Sequence, residues 1–485
     1  MKVNDCKVRE GLPPDGFSSP TSEGGRLVPG PAAGNGNDSN LNNPGSNGNY
    51  WSSTPNSDNS NNAWNLNFNS SNFNRNNNNR YNGQSVRPVR VLANASPVGA
   101  SHRLLEDLYR AYLTARRHKR CKGYQIRFEM NQERELVRLR DELLARRYEP
   151  RHSTSFIIHD PKMREVFAAE FRDRIVHHLF YNYTREIFER TFIADSYSCI
   201  EGRGTHYGIE RLKHHIRSCS QNWSKPCYVL KLDIKGYFMH INREILLARC
   251  REILGSVRVP LRAEPDFIDY LLEKICLLDP LENCRVVGDF AEWKRLPKDK
   301  SLFCAGEGCG LPIGNLSSQL FSNIYLGMLD EFVKRELKVK HYGRYVDDLF
   351  VVGESKEYLK SLIDPIRKFL SERLQLEFSE NKTRIGDARH GVEFLGAFVK
   401  PFRTYIAARS LRRIRDHLHR ISRRMNIHRA QAVVNSSLGV LSHYECYLFR
   451  RVMLAKTRIR DLGKISDDGL RFYPDPIDWQ VDSHN

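Results

Sequence analysis

Tyr228-Val229-Leu230-Lys231-Leu232-Asp233 and Arg344-Tyr345-Val346-Asp347-Asp348-Leu349-Phe350-Val351-Val352 are the stretches on which the reading of this chain turns. Each is a short run of β-branched, aromatic and aliphatic residues, the pattern of a strand buried within a sheet. Each also carries carboxylates in or beside that apolar run. Burying an ionised Asp there costs on the order of several kcal/mol unless a cation compensates it. A metal site is the economical explanation, although Asp also favours turns and an Asp-Asp pair between strands has a plain hairpin reading. Hard carboxylate oxygens suit Mg²⁺ or Mn²⁺. Two such ions, about 3.5–4 Å apart, can activate an attacking 3′-hydroxyl and neutralise a leaving pyrophosphate.

The rest of the chain supports a polyanionic partner. Its 485 residues leave room for two to four packed units, and its 40% hydrophobic content suffices for a large core. Lys and Arg number 76 against 57 Asp and Glu, a formal +19, which favours nucleic acid over an acidic small molecule. No run of about 18 apolar residues occurs, so no membrane-spanning helix is expected. Met1 to Gly30 lacks an apolar signal-peptide region, and the 11 cysteines are scattered, which together predict a cytoplasmic protein with reduced thiols. Cys276, Cys284, Cys304 and Cys309 could be drawn as a zinc site, but their spacing is loose and no Cys-X-X-Cys occurs.

Residues 1–95 read as a disordered Asn/Ser/Gly-rich arm. From Asn35 to Asn82 there are 21 asparagines, and such a stretch buries too little apolar surface to offset the entropy of ordering it. Eight Lys/Arg and six Asp/Glu over residues 1–90 leave +17 for the remainder. Beyond the arm, helical spacing appears at Leu104 to Tyr112, Leu136 to Arg147, Phe167 to Ile187 and Asn315 to Leu337. Phe156 to Ile158 reads as a strand. Leu411, Ile414, Leu418, Ile421 and Met425 form one apolar helix face, with arginines on the others.

The motifs together resemble those of reverse transcriptases. Arg344-Tyr345-Val346-Asp347-Asp348 matches their Tyr-X-Asp-Asp signature, and Leu232-Asp233-Ile234-Lys235-Gly236-Tyr237-Phe238 matches their first palm motif. Between them, Gly310-Leu311-Pro312-Ile313-Gly314-Asn315-Leu316-Ser317-Ser318-Gln319 resembles the segment that contacts the templating base and incoming nucleotide. The resemblance implies an α+β right-hand polymerase with an antiparallel palm sheet: fingers and N-terminal helices over 96–225, palm over 226–400, basic helical thumb over 401–460 and a tail over 461–485. It implies Asp233, Asp347 and Asp348 as catalytic carboxylates, with Asp233, Ile234, Asp347 and Asp348 as the metal set for two Mg²⁺ ions. Phe238 corresponds to the aromatic gate against a ribose 2′-hydroxyl. His159-Asp160-Pro161-Lys162-Met163-Arg164 resembles the fingers segment that holds the triphosphate, so Lys162 and Arg164 join Ile313, Gly314 and Gln319 as substrate-binding candidates. Asn381-Lys382-Thr383 implies Lys382 as a general acid toward pyrophosphate. Phe394-Leu395-Gly396 matches a primer-grip hairpin. Arg412, Arg413, Arg420 and Arg424 are expected to track the nucleic-acid backbone.

Departures from the common pattern suggest a subclass. Ile313 stands where many reverse transcriptases carry Gln. Pro-Ile-Gly followed by Asn-Leu-Ser-Ser-Gln resembles the enzymes of diversity-generating retroelements, as do Phe171-Arg172-Asp173-Arg174-Ile175-Val176-His177-His178 and Asp195-Ser196-Tyr197-Ser198-Cys199. That resemblance implies copying of a template RNA with misincorporation opposite adenine, and a small basic accessory protein as partner. Asparagine codons begin with two adenines and end in a pyrimidine, so randomising them never creates a stop. Residues near 48–90 therefore read as a template repeat translated in this frame, and Asn49 to Thr54, Ala63 to Phe68 and Val86 to Arg90 resemble the end of the lectin-like proteins such systems diversify. The alternatives are a retron-type or phage-defence reverse transcriptase and, from another class, a non-catalytic nucleic-acid-binding scaffold.

Overall fold

The computed structural model describes strands within residues 35–79, then residues 100–117, 122–159, 162–257, 262–422 and 425–475. The chain divides into two compact units, Lys7–Gly99 and a larger one carried by Ala100–Asn485.

In the smaller unit Asn47–Pro55, Asn62–Asn69 and Phe73–Asn79 form a three-stranded antiparallel sheet, and Asn35–Asn37 pairs with Asn40–Asn42. This corrects the expectation of disorder for those residues. The asparagine count masked a period-two alternation, Trp64, Leu66 and Phe68 between Ala63, Asn65 and Asn67, which is the signature of a strand with two unlike faces. The rest of the expected arm lies outside the described residues.

The larger unit is organised by a four-stranded antiparallel sheet in the order Tyr342–Tyr345, Asp348–Gly353, Tyr228–Asp233, Arg384–Asp387. Alternation sorts its side chains. Leu230, Leu232, Leu349 and Val351 enter the main core with the helices Phe171–Glu189 and Leu316–Glu331. Val229, Phe350 and Val352 enter a second core with the helix Thr205–Cys219 and with Phe394 and Val399. Both faces are covered, which is why the two central strands read as near-continuous apolar runs.

Three expectations change. Phe167 to Ile187 is not one helix: Arg164–Ala169 is a strand paired with Ser153–Ile158, which also runs parallel to Cys284–Val286, and the helix begins at Phe171. Glu165, Phe167 and Ala169 are buried in alternation, a strand period that the following helical pattern absorbed. The helix expected through Met425 spans Ala408–His419, and Asn426 then caps a new helix, Ile427–Leu441, by accepting from the N–H groups of His428 and Arg429. Finally, 461–475 is no separate tail, since Leu462 and Phe472 are buried with Ile414, Leu418, Leu438 and Met453 in the C-terminal core. Residues 476–485 lie outside the described residues. The helix expected over Asn315 to Leu337 runs over Leu316–Glu331 and continues as a π-helical turn to Glu336.

Candidate active site

Pairing of the central strands brings the carboxylates together. Asp348 lies directly opposite Asp233 in the ladder, and Tyr345 pairs with Asp348, so Val346 and Asp347 form a two-residue hairpin turn. Such turns require a left-handed residue within them, and here it is Val346, with φ +53°. Ile234 follows Asp233 and is buried opposite Phe378 in an isolated antiparallel bridge. Lys235 N–H and Ser379 N–H close that bridge on either side, so the Ile234 carbonyl points away from that neighbour. With an apolar side chain, that carbonyl is all Ile234 can offer an ion.

The electrostatics set like charges close together on both sides of the site, carboxylates with carboxylates and cations with cations. Burial, then the neighbouring charges of Asp348 and Asp233, push the Asp347 carboxyl up to about 6. Burial also raises Asp348, with Lys231, Lys162 and Lys382 pulling the other way. Lys382 donates to Asp233 Oδ2 at 2.6 Å, and although burial pulls its ammonium down, the Asp233 carboxylate more than offsets this and holds it above its usual value. Lys162 moves down, first through burial and then through repulsion by Arg409, Arg164, Lys382 and Lys300. Lys231, Lys162 and Lys382 thus act on the carboxylates, and Arg164, Lys300 and Arg409 act on Lys162. The donor set fits a hard divalent cation: oxygen ligands only, and carboxylates that hinder one another's ionisation. Among the described residues no three His, Cys, Asp or Glu side chains are gathered into a ready cage. Lys382 already holds one Asp233 oxygen, Oδ2. The four cysteines drawn as an alternative zinc set are likewise not gathered among the described residues; Cys276 is buried against the Arg243 carbonyl.

The nucleotide-side candidates fall into two groups. Phe238 and Ile313 both pack on a small apolar cluster of Phe167, Met239 and Leu302, and Ile313 is pinned by its carbonyl accepting from Phe167 N–H at 2.8 Å. Gly314 has φ +136°, and a Cβ there would come within 2.5 Å of the Phe167 carbonyl oxygen, so backbone geometry alone demands glycine. Gln319 is exposed on the first turn of Leu316–Glu331. Lys162 and Arg164 are exposed at the start of the strand Arg164–Ala169. Next to them Glu165 is buried and satisfied by Trp293 Nε1 at 2.7 Å, Ser301 Oγ at 3.0 Å and Leu302 N–H at 2.7 Å. Glu165 thus ties the 290–302 segment, and with it Lys300, to the strand that carries Arg164.

Arg412 and Arg413 are exposed on the helix Ala408–His419 opposite buried Ile414 and Leu418, and Arg420 is exposed just past its end. Arg424 lies outside the described residues. Sequence reasoning missed Lys300 and Arg409, for neither sits in a recognisable motif. Arg409 had one available signal: it begins the helix directly after the hairpin Val392–Lys400 and its partner strand Arg403–Ile406. The Leu395-Gly396 turn of that hairpin is left-handed at both residues. His177, buried, meets Ser317 Oγ at 2.7 Å between two helices, a fold-supporting contact.

Residues 159–399 match the family model described as reverse transcriptase (RNA-dependent DNA polymerase), and residues 23–89 match one described as a domain of unknown function (DUF8237). Protein YkfC of Escherichia coli (strain K12) is 24% identical over 299 residues, 54% of this chain and 70% of that protein. Among solved structures, apo telomerase from Candida tropicalis truncated from its C-terminal domain aligns with a TM-score of 0.38 and 15% identity, over 53% of this chain and 55% of that one. Telomerase from Candida albicans in complex with a TWJ fragment of telomeric RNA aligns with a TM-score of 0.40 and 10% identity, over 69% and 60%. The chain thus spans little more than half the length of these telomerases. No helix among the described residues is long and apolar enough to cross a membrane.

Proposed function

Starting from a chain that carries a reverse transcriptase domain, the catalytic module of an RNA-directed DNA polymerase, we propose that it copies a template RNA into cDNA at the site built on Asp233, Asp347 and Asp348. The observation that carries this reading is the strand register that sets Asp348 against Asp233, with Asp347 at the adjoining turn. Asp233, Asp347, Asp348 and the Ile234 carbonyl would hold two Mg²⁺ ions, which Mn²⁺ can replace. When bound, the ions activate the primer 3′-hydroxyl and neutralise the leaving pyrophosphate. Lys162 and Arg164 take the triphosphate, whose negative charge relieves the mutual repulsion of the cations around it. Lys382 keeps its proton on the side of the site where pyrophosphate departs and donates it there. Phe238 excludes the ribose 2′-hydroxyl, which makes the product DNA. Arg412, Arg413, Arg420 and Arg424 follow the duplex backbone.

Within that activity we place the enzyme in a diversity-generating retroelement working in the cytoplasm with a small basic accessory protein, residues 48–90 being the translated template repeat. Ile313 supports this: an aliphatic side chain beside the nascent pair offers no hydrogen bond, so shape alone discriminates, by about 1–3 kcal/mol. The test is primer extension on a defined RNA template with cDNA sequencing. Wild-type cDNA should carry errors concentrated opposite adenine, and Ile313→Gln should lower those errors more than errors opposite other bases. No extension with either Mg²⁺ or Mn²⁺ would overturn the polymerase reading. An even error spectrum, unchanged by Ile313→Gln, would overturn the mutagenic one.

A further inference from the structure

The turn that carries Asp347 is built from the wrong residue. The first central position of this two-residue hairpin is left-handed, a conformation suited to glycine, yet a β-branched valine occupies it with φ +53°. Such a conformation persists only where its surroundings over-determine it. Here both polar groups of Val346 are held. Its N–H donates to Ser198 Oγ at 3.1 Å, and its carbonyl accepts from Arg344 Nη1 at 3.1 Å.

The two holders are tied to each other. Ser198 Oγ donates to Asn323 Oδ1 at 3.1 Å, and the same oxygen accepts from Arg344 Nη1 at 3.2 Å. Asn323 Nδ2 donates in turn to the Ser198 carbonyl at 2.7 Å. Arg344 is fully buried. Its remaining N–H groups go to Asp330 at 2.7–3.0 Å and to Ser196 Oγ at 3.2 Å, and Tyr342 O–H donates to the same Asp330 at 2.6 Å. The segment holding Ser196 and Ser198 is itself laced to the strand: Arg344 N–H donates to the Asp195 carbonyl at 2.9 Å and Tyr197 N–H to the Arg344 carbonyl at 3.0 Å. A buried ion pair is weak as a source of stability, because desolvation consumes much of the attraction. A fully satisfied network, by contrast, specifies one geometry. This one ends on the two main-chain polar groups of the residue before Asp347.

We infer that Ser198, Asn323 and Arg344 are positioning residues that hold the Val346 peptide left-handed and thereby aim the Asp347 carboxylate. The inference rests on the reading of Asp347 as a residue that holds the catalytic ions. The experiment is Ser198→Ala, which removes the acceptor for Val346 N–H. Because misplacement of a reacting group by about 1 Å can cost ~10²-fold, kcat for primer extension should fall by about 10- to 100-fold, with KM for template and nucleotide and the melting temperature little changed. Val346→Gly added to Ser198→Ala should restore most of the rate, since glycine adopts the conformation unaided. Merely structural damage would not be rescued this way. Should Ser198→Ala fold poorly, Ser198→Cys keeps the volume with a weaker acceptor and reads the same loss, and the same rescue, in smaller size. Wild-type kcat in a folded Ser198 variant, or a loss that Val346→Gly leaves untouched, overturns the inference. Asp347→Asn run in parallel separates the two claims: if it still extends primers the reading of Asp347 fails, and if it is dead while Ser198→Ala is fully active only the positioning network fails.

Discussion

Asp347→Asn should make the metal-free protein more stable while it abolishes primer extension. Burial first, then the charges of Asp348 and Asp233, move the Asp347 carboxyl from 3.8 to about 6. At about 1.36 kcal/mol for each tenfold gain in proton affinity, that rise is worth about 3 kcal/mol. The folded protein binds this proton more tightly than the unfolded chain. The stabilisation this gives is fully present below about pH 4 and is lost as pH rises through about 6. At pH 7.5 the ionised group therefore works against the fold. Asparagine keeps the shape without the charge and also relieves Asp348 of a like-charged neighbour. Asp347 is half-buried, so water and side-chain relaxation reduce the figure to about 1–3 kcal/mol, a few degrees in a domain of this size. The assay is thermal melting in a chelator at pH 7.5 and at pH 5, repeated with Mg²⁺. The variant should melt higher at pH 7.5, and the gap should narrow to roughly half at pH 5, closing only below about pH 4. Mg²⁺ should then raise the wild type more than the variant, by mass action on the folded state. A variant that melts at or below wild type at pH 7.5 without metal, or a gap indifferent to pH, would refute the electrostatic argument.

Three further outcomes follow from the same geometry. Extension rate should fall as pH drops toward about 6, and more Mg²⁺ should move that edge to lower pH, because proton and metal compete for Asp347; an edge indifferent to metal would count against Asp347 as a ligand. Phe238→Ala, opening the cluster shared with Ile313, should raise ribonucleotide incorporation at least about tenfold relative to deoxynucleotide, read from single-nucleotide extension, since a steric block is worth a few kcal/mol. Arg412→Ala with Arg413→Ala should weaken duplex binding and lower the slope of log affinity against log salt by up to about two; an unchanged slope would exclude both as phosphate contacts.

The candidate site was legible where chemistry and local pattern coincide. A carboxylate at the end of an apolar run and an Asp-Asp pair between two such runs announce themselves, because buried charge is expensive and needs a reason. Which of the pair faces Asp233 was not legible, since register is decided when strands meet, and a one-residue slip would have put Asp347 there instead of Asp348. Lys300 and Arg409 were invisible for a related reason: they reach Lys162 only through the folding of the 290–302 segment onto Glu165 and of a helix onto the end of a hairpin. The fold misreadings share one cause. In Arg164–Ala169 the alternation lasts six residues before a longer helical pattern takes over, and in residues 47–79 composition was weighed above period.

The placement of charge divides the candidate site into two parts. The carboxylates sit on two hydrogen-bonded strands and the turn that joins one of them, fixed by cores on both faces of the sheet. The cations come from elsewhere: Lys162 and Arg164 from the start of the strand Arg164–Ala169, Lys300 and Lys382 from 3-10 turns, Arg409 from the beginning of a helix. Of these, the Lys162 ammonium is disfavoured, first by burial and then by Arg409, Arg164, Lys382 and Lys300, whereas for Lys382 burial is more than offset by Asp233, which holds it above its usual value. Gathered around a triphosphate, they are satisfied. On the proposed function the strand-borne carboxylates would hold the ions, and the cations from the other elements would meet the nucleotide's phosphates. If Lys162 and Arg164 take the triphosphate as proposed, a nucleoside or monophosphate, carrying less charge, should be held more weakly there than a triphosphate.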